Sequence, residues 1–122
     1  MTPEQIEKLD RLRRLDEELA RTNKDRFTRD GVTIHHGDVS ARYGDWESPV
    51  CIVADGPYGV SGYEGDLPTS QGLAEWYEPH VAAWSAKATP ATTLWFWNTE
   101  IGWATVHPVL ERLGWTYKGI AI

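Results

Sequence analysis

The sequence predicts an α/β fold, a mainly parallel sheet with crossover helices behind an N-terminal helix. Three observations predict it. Val50-Cys51-Ile52-Val53-Ala54 is a short apolar run that stops at Asp55-Gly56-Pro57-Tyr58-Gly59. Such a run reads as a strand buried on both faces. A second β-rich run, Thr92-Thr93-Leu94-Trp95-Phe96-Trp97, follows after a segment of helical periodicity. Strands that alternate with helices pair in parallel through crossovers. The first two dozen residues are charged and carry a helical apolar stripe.

In chain order, residues 2–24 read as a helix. Thr2 suits the N-cap, Pro3 the first helical position, and Gln5 completes a capping box. Ile6, Leu9, Leu12, Leu15 and Leu19 form the stripe. Two readings of it stay open, a docking or dimerisation helix and a terminal helix packed on its own domain. Arg11, Arg13 and Arg14 are interleaved with acids, which reads as a solvated face. We divide the chain into an N-terminal amphipathic helix, 1–27, and an α/β domain, 28–122.

Thr28-Arg29-Asp30-Gly31 reads as a turn, and Val32-Thr33-Ile34-His35-His36 as a strand ended by Gly37-Asp38. Adjacent His35 and His36 point to opposite faces of a strand, so no metal site is expected there. Asp38, just past a strand end, is either a functional carboxylate or a helix N-cap. Residues 40–49 read as loop or short helix. Gly59 to Pro68 is a glycine-rich loop that could be mobile over the site, and it lacks the phosphate-loop pattern.

Thr69 or Ser70 can cap a helix to about Lys87, with Leu73, Trp76, Tyr77, His80, Val81 and Trp84 on its buried side. His80 reads as a core or rim residue. In the strand that follows, Trp95 and Trp97 share one face, with Phe96 opposite, and all three read as core. Thr99 can cap a helix from Glu100 to about Leu113. Pro108 inside it predicts a kink or two short helices, and Gly114 a stop. Trp115 to Ile122 reads as a last strand. It ends on apolar Ile120-Ala121-Ile122, from which we expect a fragment, or a strand that pairs with another chain.

Composition sets bounds. The 122 residues suffice for one domain with a core. The single cysteine, Cys51, excludes an internal disulfide. No apolar run approaches the roughly 20 residues that span a bilayer, and no signal peptide is visible, so a cytoplasmic protein is expected. The net charge is −6. Residues 31–122 account for all of it, with four basic and ten acidic groups. That surface cannot grip a phosphate backbone unaided.

Asp55-Gly56-Pro57-Tyr58 combines a carboxylate acceptor, backbone carbonyls on a rigid turn and an aromatic face. These suit a flat ligand with an exocyclic amine, such as a base taken out of its stack. Trp97 could stack on that base, and Asn98 beside it could line the pocket. Metal and nucleophile readings are weak, because one carboxylate is no metal site and Ser61 has no partnered base.

His36-Gly37-Asp38 followed by Val50–Val60 resembles the β-type amino-group DNA methyltransferases, in which an Asp-Pro-Pro-Tyr motif precedes the cofactor motif. The resemblance covers roughly residues 32–122. It implies a partial Rossmann-like methyltransferase sheet and methyl transfer from S-adenosylmethionine to adenine N6, with cytosine N4 the less favoured target. By the resemblance, Asp55 and the Gly56 carbonyl accept from the amine, Pro57 holds the turn, Tyr58 stacks on the flipped base, and Asp38 and Asp55 contact the cofactor. Gly56 stands where the family usually has proline, and no Phe-x-Gly-x-Gly cofactor motif occurs. The chain therefore resembles the catalytic-motif portion alone, a fragment or one subunit of a split enzyme. DNA contacts would come from outside this chain, through a second polypeptide or self-association. The alternatives are a non-catalytic binding or regulatory module that keeps the half-fold, and an unrelated small α/β domain.

Overall fold

Thr2 and Gln5 close a reciprocal capping box, Thr2 N–H donating to Gln5 Oε1 at 2.9 Å and Gln5 N–H to Thr2 Oγ1 at 3.3 Å. They start α1, Pro3–Asn23. The computed structural model describes residues 1–23 and 25–122, with the side chains of 18–23 outside that description. Leu19 of the expected stripe is among these. Ile6, Leu9, Leu12 and Leu15 are each about half exposed.

The chain forms two units, Met1–Val39 and Ser40–Ile122. In the first, β1 (Arg26–Arg29) and β2 (Val32–His35) form an antiparallel hairpin, with Arg29 opposite Val32. Asp30 and Gly31 lie between them at φ of +50° and +79°. Positive φ at both central residues is the mark of the type I′ hairpin turn. The expectation of β2 in a mainly parallel sheet is thus corrected. A two-residue loop returns the chain beside itself, whereas parallel pairing needs a crossover. The expected boundary at 27/28 falls inside β1.

The second unit is a parallel pair with two helices. β3 (Cys51–Ala54) pairs with β4 (Thr93–Phe96), Ile52 opposite Leu94 and Ala54 opposite Phe96. The crossover contains α2 (Leu73–Lys87), and α3 (Glu100–Arg112) follows β4. Ile52 and Ala54 bury against Leu73, Tyr77, Val81 and Trp84 of α2 and Val106, Val109 and Leu110 of α3.

One sheet face carries this core, and the other is bare. Cys51 and Val53 alternate with buried Ile52 and Ala54. Trp95 and Trp97, which flank half-buried Phe96, are 54% and 60% exposed. The expectations of a strand buried on both faces and of core Trp95 and Trp97 are corrected. Both helices pack on the face of Ile52, so within this unit the opposite face has no covering layer. Trp76, expected on the buried side of α2, is 38% exposed and stacks on half-buried His80 with ring centroids 4.4 Å apart.

One helix, rather than two, covers Glu100–Arg112 with Pro108 inside it. Gly114, at φ +102°, ends it. Gly114 N–H donates to Glu111 O at 3.1 Å and Trp115 N–H to Leu110 O at 2.9 Å, a Schellman pair. The expected strand over 115–122 does not form. Trp115 Nε1 donates to Ser85 Oγ at 3.0 Å, and the Tyr117 ring lies 5.8 Å from that of Trp103. These contacts commit the segment to the helices instead of a strand edge. Among the described residues no helix is long and apolar enough to cross a membrane.

Candidate functional site

Parallel pairing sets the carboxyl ends of β3 and β4 side by side, and Trp97 N–H donates to Ala54 O at 2.9 Å. Ligands of open α/β sheets bind at this end. Asp55 leaves β3 exposed, Gly56 and Tyr58 are half-buried, and Pro57 is buried. The Pro57 carbonyl accepts two hydrogen bonds at 3.0 Å, from the Tyr77 hydroxyl and from Asn98 Nδ2. Helix α2 and the end of β4 therefore both fasten the turn.

Gly56 is there for space. A Cβ at this position would lie 2.5 Å from the Tyr77 hydroxyl oxygen. Burial first, then the phenols of Tyr63 and Tyr58 and the Asp55 charge, push the Tyr77 phenol well above its ordinary range, with Asn98 acting in the opposite direction. Asn98 is held in turn by its own surroundings. Its Oδ1 accepts from Thr99 N–H at 2.9 Å, and a Cβ on Gly102 would strike that oxygen. Thr99 caps α3 through Gly102 N–H at 3.0 Å.

The Tyr58 hydroxyl donates to Asp55 Oδ1. This bond, more than burial and the Asp55 charge, raises the Tyr58 phenol above its usual value. The glycine-rich loop beyond is organised around Asp66, whose carboxylate accepts from the backbone of Tyr58, Gly59, Val60, Gly62 and Leu67. Gly59, at φ +74°, passes so close to the 69–70 backbone that a Cβ would lie 2.6 Å from Thr69 O.

Of the residues singled out from sequence, Asp55, Gly56, Pro57, Tyr58 and Asn98 come together. Trp97 stands at the same strand end with its ring in solvent, and Asp38 belongs to the first unit. Sequence reasoning missed Tyr77 and Asp66. Helical spacing gave Tyr77 as buried and left its hydroxyl without a task. A carboxylate in a loop rich in glycine N–H groups was the available sign for Asp66. A cavity of about 370 Å³, lined by Trp46, Glu47, Pro49, Cys51, Ile52 and Val53, includes none of the candidate residues. No protein-family model, curated protein or solved structure matches this chain.

Proposed function

We propose that this chain is the base-binding portion of a DNA adenine-N6 methyltransferase with a partial Rossmann-like sheet. The methyl-donor pocket and the grip on DNA come from outside these 122 residues, from the rest of a longer chain of which this is a fragment or from a second polypeptide or second copy in a split enzyme. One observation carries this reading. An exposed carboxylate, a fixed turn of backbone carbonyls and a phenol ring meet at the carboxyl end of a parallel strand.

An exocyclic amine has two N–H groups to place. Asp55 accepts one. The Pro57 carbonyl already accepts from Tyr77 and Asn98, so the neighbouring Gly56 carbonyl takes the other. Both bonds enrich the amine nitrogen in electrons. Tyr58 stacks on the base once its hydroxyl gives up Asp55 to the incoming amine.

S-adenosylmethionine is the donor this reading implies, and no Phe-x-Gly-x-Gly stretch to hold its methionine end occurs in the sequence. That part of the donor site is therefore assigned to residues outside these 122. The acidic balance of residues 31–122 supports the same division of labour for DNA.

The closed Tyr58–Asp55 pair favours a second reading, a binding or regulatory module in which the pair never opens. Methyl transfer to an adenine-containing duplex, by the full-length gene product or by this chain combined with the product of its neighbouring gene, decides between them. The first reading expects transfer that Asp55→Ala abolishes. A combined protein that neither binds donor nor methylates, or transfer that survives Asp55→Ala, overturns it.

A further inference from the structure

Both oxygens of Asp66 are committed. Oδ1 accepts from Tyr58 N–H at 2.9 Å, Gly59 N–H at 2.8 Å and Leu67 N–H at 2.8 Å. Oδ2 accepts from Val60 N–H at 3.1 Å and Gly62 N–H at 3.0 Å. Converging backbone N–H groups form a nest for an anion, and here the anion is the chain's own carboxylate. Gly59 at φ +74° and Ser61 at φ +52° bend the chain around it. Five donors use up the roughly four lone-pair sites of a carboxylate. Asp66 therefore has nothing left to offer a ligand, and its effect passes through the loop it holds.

That loop begins with Tyr58. Asp66 holds its backbone, Asp55 its hydroxyl, and Pro57 just before it is fixed by Tyr77 and Asn98. We propose that Asp66 is a positioning residue that fixes the Tyr58 ring for base stacking, by serving as the internal anion of the 58–67 loop. The inference rests on the stacking role given to Tyr58 above. Desolvation works against the charged form, but the N–H groups of Gly59, Gly62, Val60 and Leu67 outweigh it and hold the carboxyl at about 2. The nest is therefore filled at neutral pH.

The test uses the full chain with Asp66→Asn and Asp66→Ala. Asparagine keeps the shape and one acceptor oxygen but sets a donor against part of the nest, whereas alanine removes both oxygens. Amide exchange is expected to accelerate about tenfold or more at Val60 and Gly62, the partners of Oδ2, in Asp66→Asn, and at Tyr58, Gly59 and Leu67 as well in Asp66→Ala. Val81 in the core reports that the fold is intact. The Tyr58 phenol should fall back toward 10.0 as its bond to Asp55 loosens. Tyr63 is the control, because the Asp66 charge acts on it directly and its phenol falls wherever Tyr58 sits. Quenching of the free 2-aminopurine nucleoside, which needs no grip on a phosphate backbone, by the wild-type chain should be lost in Asp66→Ala.

Unchanged exchange and titration at Tyr58 in Asp66→Ala overturn the proposal, whatever the nucleoside does. Freed Tyr58 with no quenching by the wild-type chain upholds the positioning role and sinks the base-binding reading. If Asp66→Asn also exposes Val81, Asp66→Ala with added formate decides. Recovery of the Tyr58 signals with formate supports the internal-anion role, and no recovery refutes it.

Discussion

Gly56→Ala is the most telling single substitution, because its consequence is steric and can be cancelled by a second one. The new Cβ lies 2.5 Å from the Tyr77 hydroxyl oxygen and 3.2 and 3.3 Å from Cζ and Cε1 of the same ring. Tyr77 is 1% exposed, with the rings of Trp76 and Phe96 at 4.9 and 5.0 Å, so it has little room to retreat. Gly56 is outside the positive-φ glycines, so the backbone itself accepts alanine. Overpacking of this kind costs about 1–3 kcal/mol. Losing the hydroxyl's bond to Pro57 adds about 1 kcal/mol. Gly56→Ala should therefore destabilise by roughly 2–4 kcal/mol.

Tyr77→Phe alone removes only the bond, and Asn98 still serves Pro57, so about 1 kcal/mol is expected. In the double variant the 2.5 Å contact is gone and two tight ring contacts remain. Its loss should be about 1–2 kcal/mol, less than the sum of the single losses. Urea unfolding followed by tryptophan emission, with equal slopes for all four proteins, measures the cycle. Additivity within about 0.5 kcal/mol would mean that Gly56 does not make room for Tyr77, and the account of the turn fails.

Three further outcomes are expected. Gly59→Ala combines a positive φ with a backbone clash at Thr69 and should cost roughly 2–5 kcal/mol, read from the thermal midpoint. A loss under about 0.5 kcal/mol would place the loop elsewhere. Tyr77 has a raised folded-state pKa, so its contribution is complete below 10.0 and declines as pH rises beyond that value. Alkaline titration of stability should show a fall above pH 10.0 that Tyr77→Phe reduces. On β4, Trp95→Lys should change stability by less than about 0.5 kcal/mol, while Phe96→Ala should cost about 2–3 kcal/mol. Equal losses at the two positions would contradict the one-sided packing of the sheet.

The parts of the fold set by local chemistry were legible in the sequence. Thr2 with Gln5, Thr99 and Gly114 mark helix ends through bonds within a few residues, and those bonds are present. Val50–Ala54 and the later aromatic run were readable as strands because their side chains favour a pleated surface. What depends on neighbours was not readable. Trp95 and Phe96 differ little in composition terms, yet one faces solvent and the other Tyr77, because α2 and α3 choose the same side. Asp30-Gly31 was visible as a turn, but the strand before it, Arg-Phe-Thr-Arg, has little apolar pattern to reveal it. Asp55 to Tyr58 was found as a motif, whereas Tyr77 and Asp66, distant in sequence, act on it only once the chain has folded.

The motif turn shows why distant residues matter to a short pattern. Proline at its second position would stiffen the turn by fixing φ. It would also carry a Cβ into the space that the Tyr77 hydroxyl occupies. Glycine at 56 and tyrosine at 77 are therefore one choice, and proline with a smaller residue at 77 is the other. The rigidity that glycine gives up is returned by the bonds of Tyr77 and Asn98 to the Pro57 carbonyl, and by Asp66 at the next backbone N–H. Under the proposed function, the same bonds occupy Pro57 and leave the Gly56 carbonyl to accept an amine N–H. With glycine at 56 the turn is thus held by packing in place of ring closure. This arrangement predicts that loosening Tyr77, Asn98 or Asp66 disturbs Tyr58 more than loosening Gly56 itself.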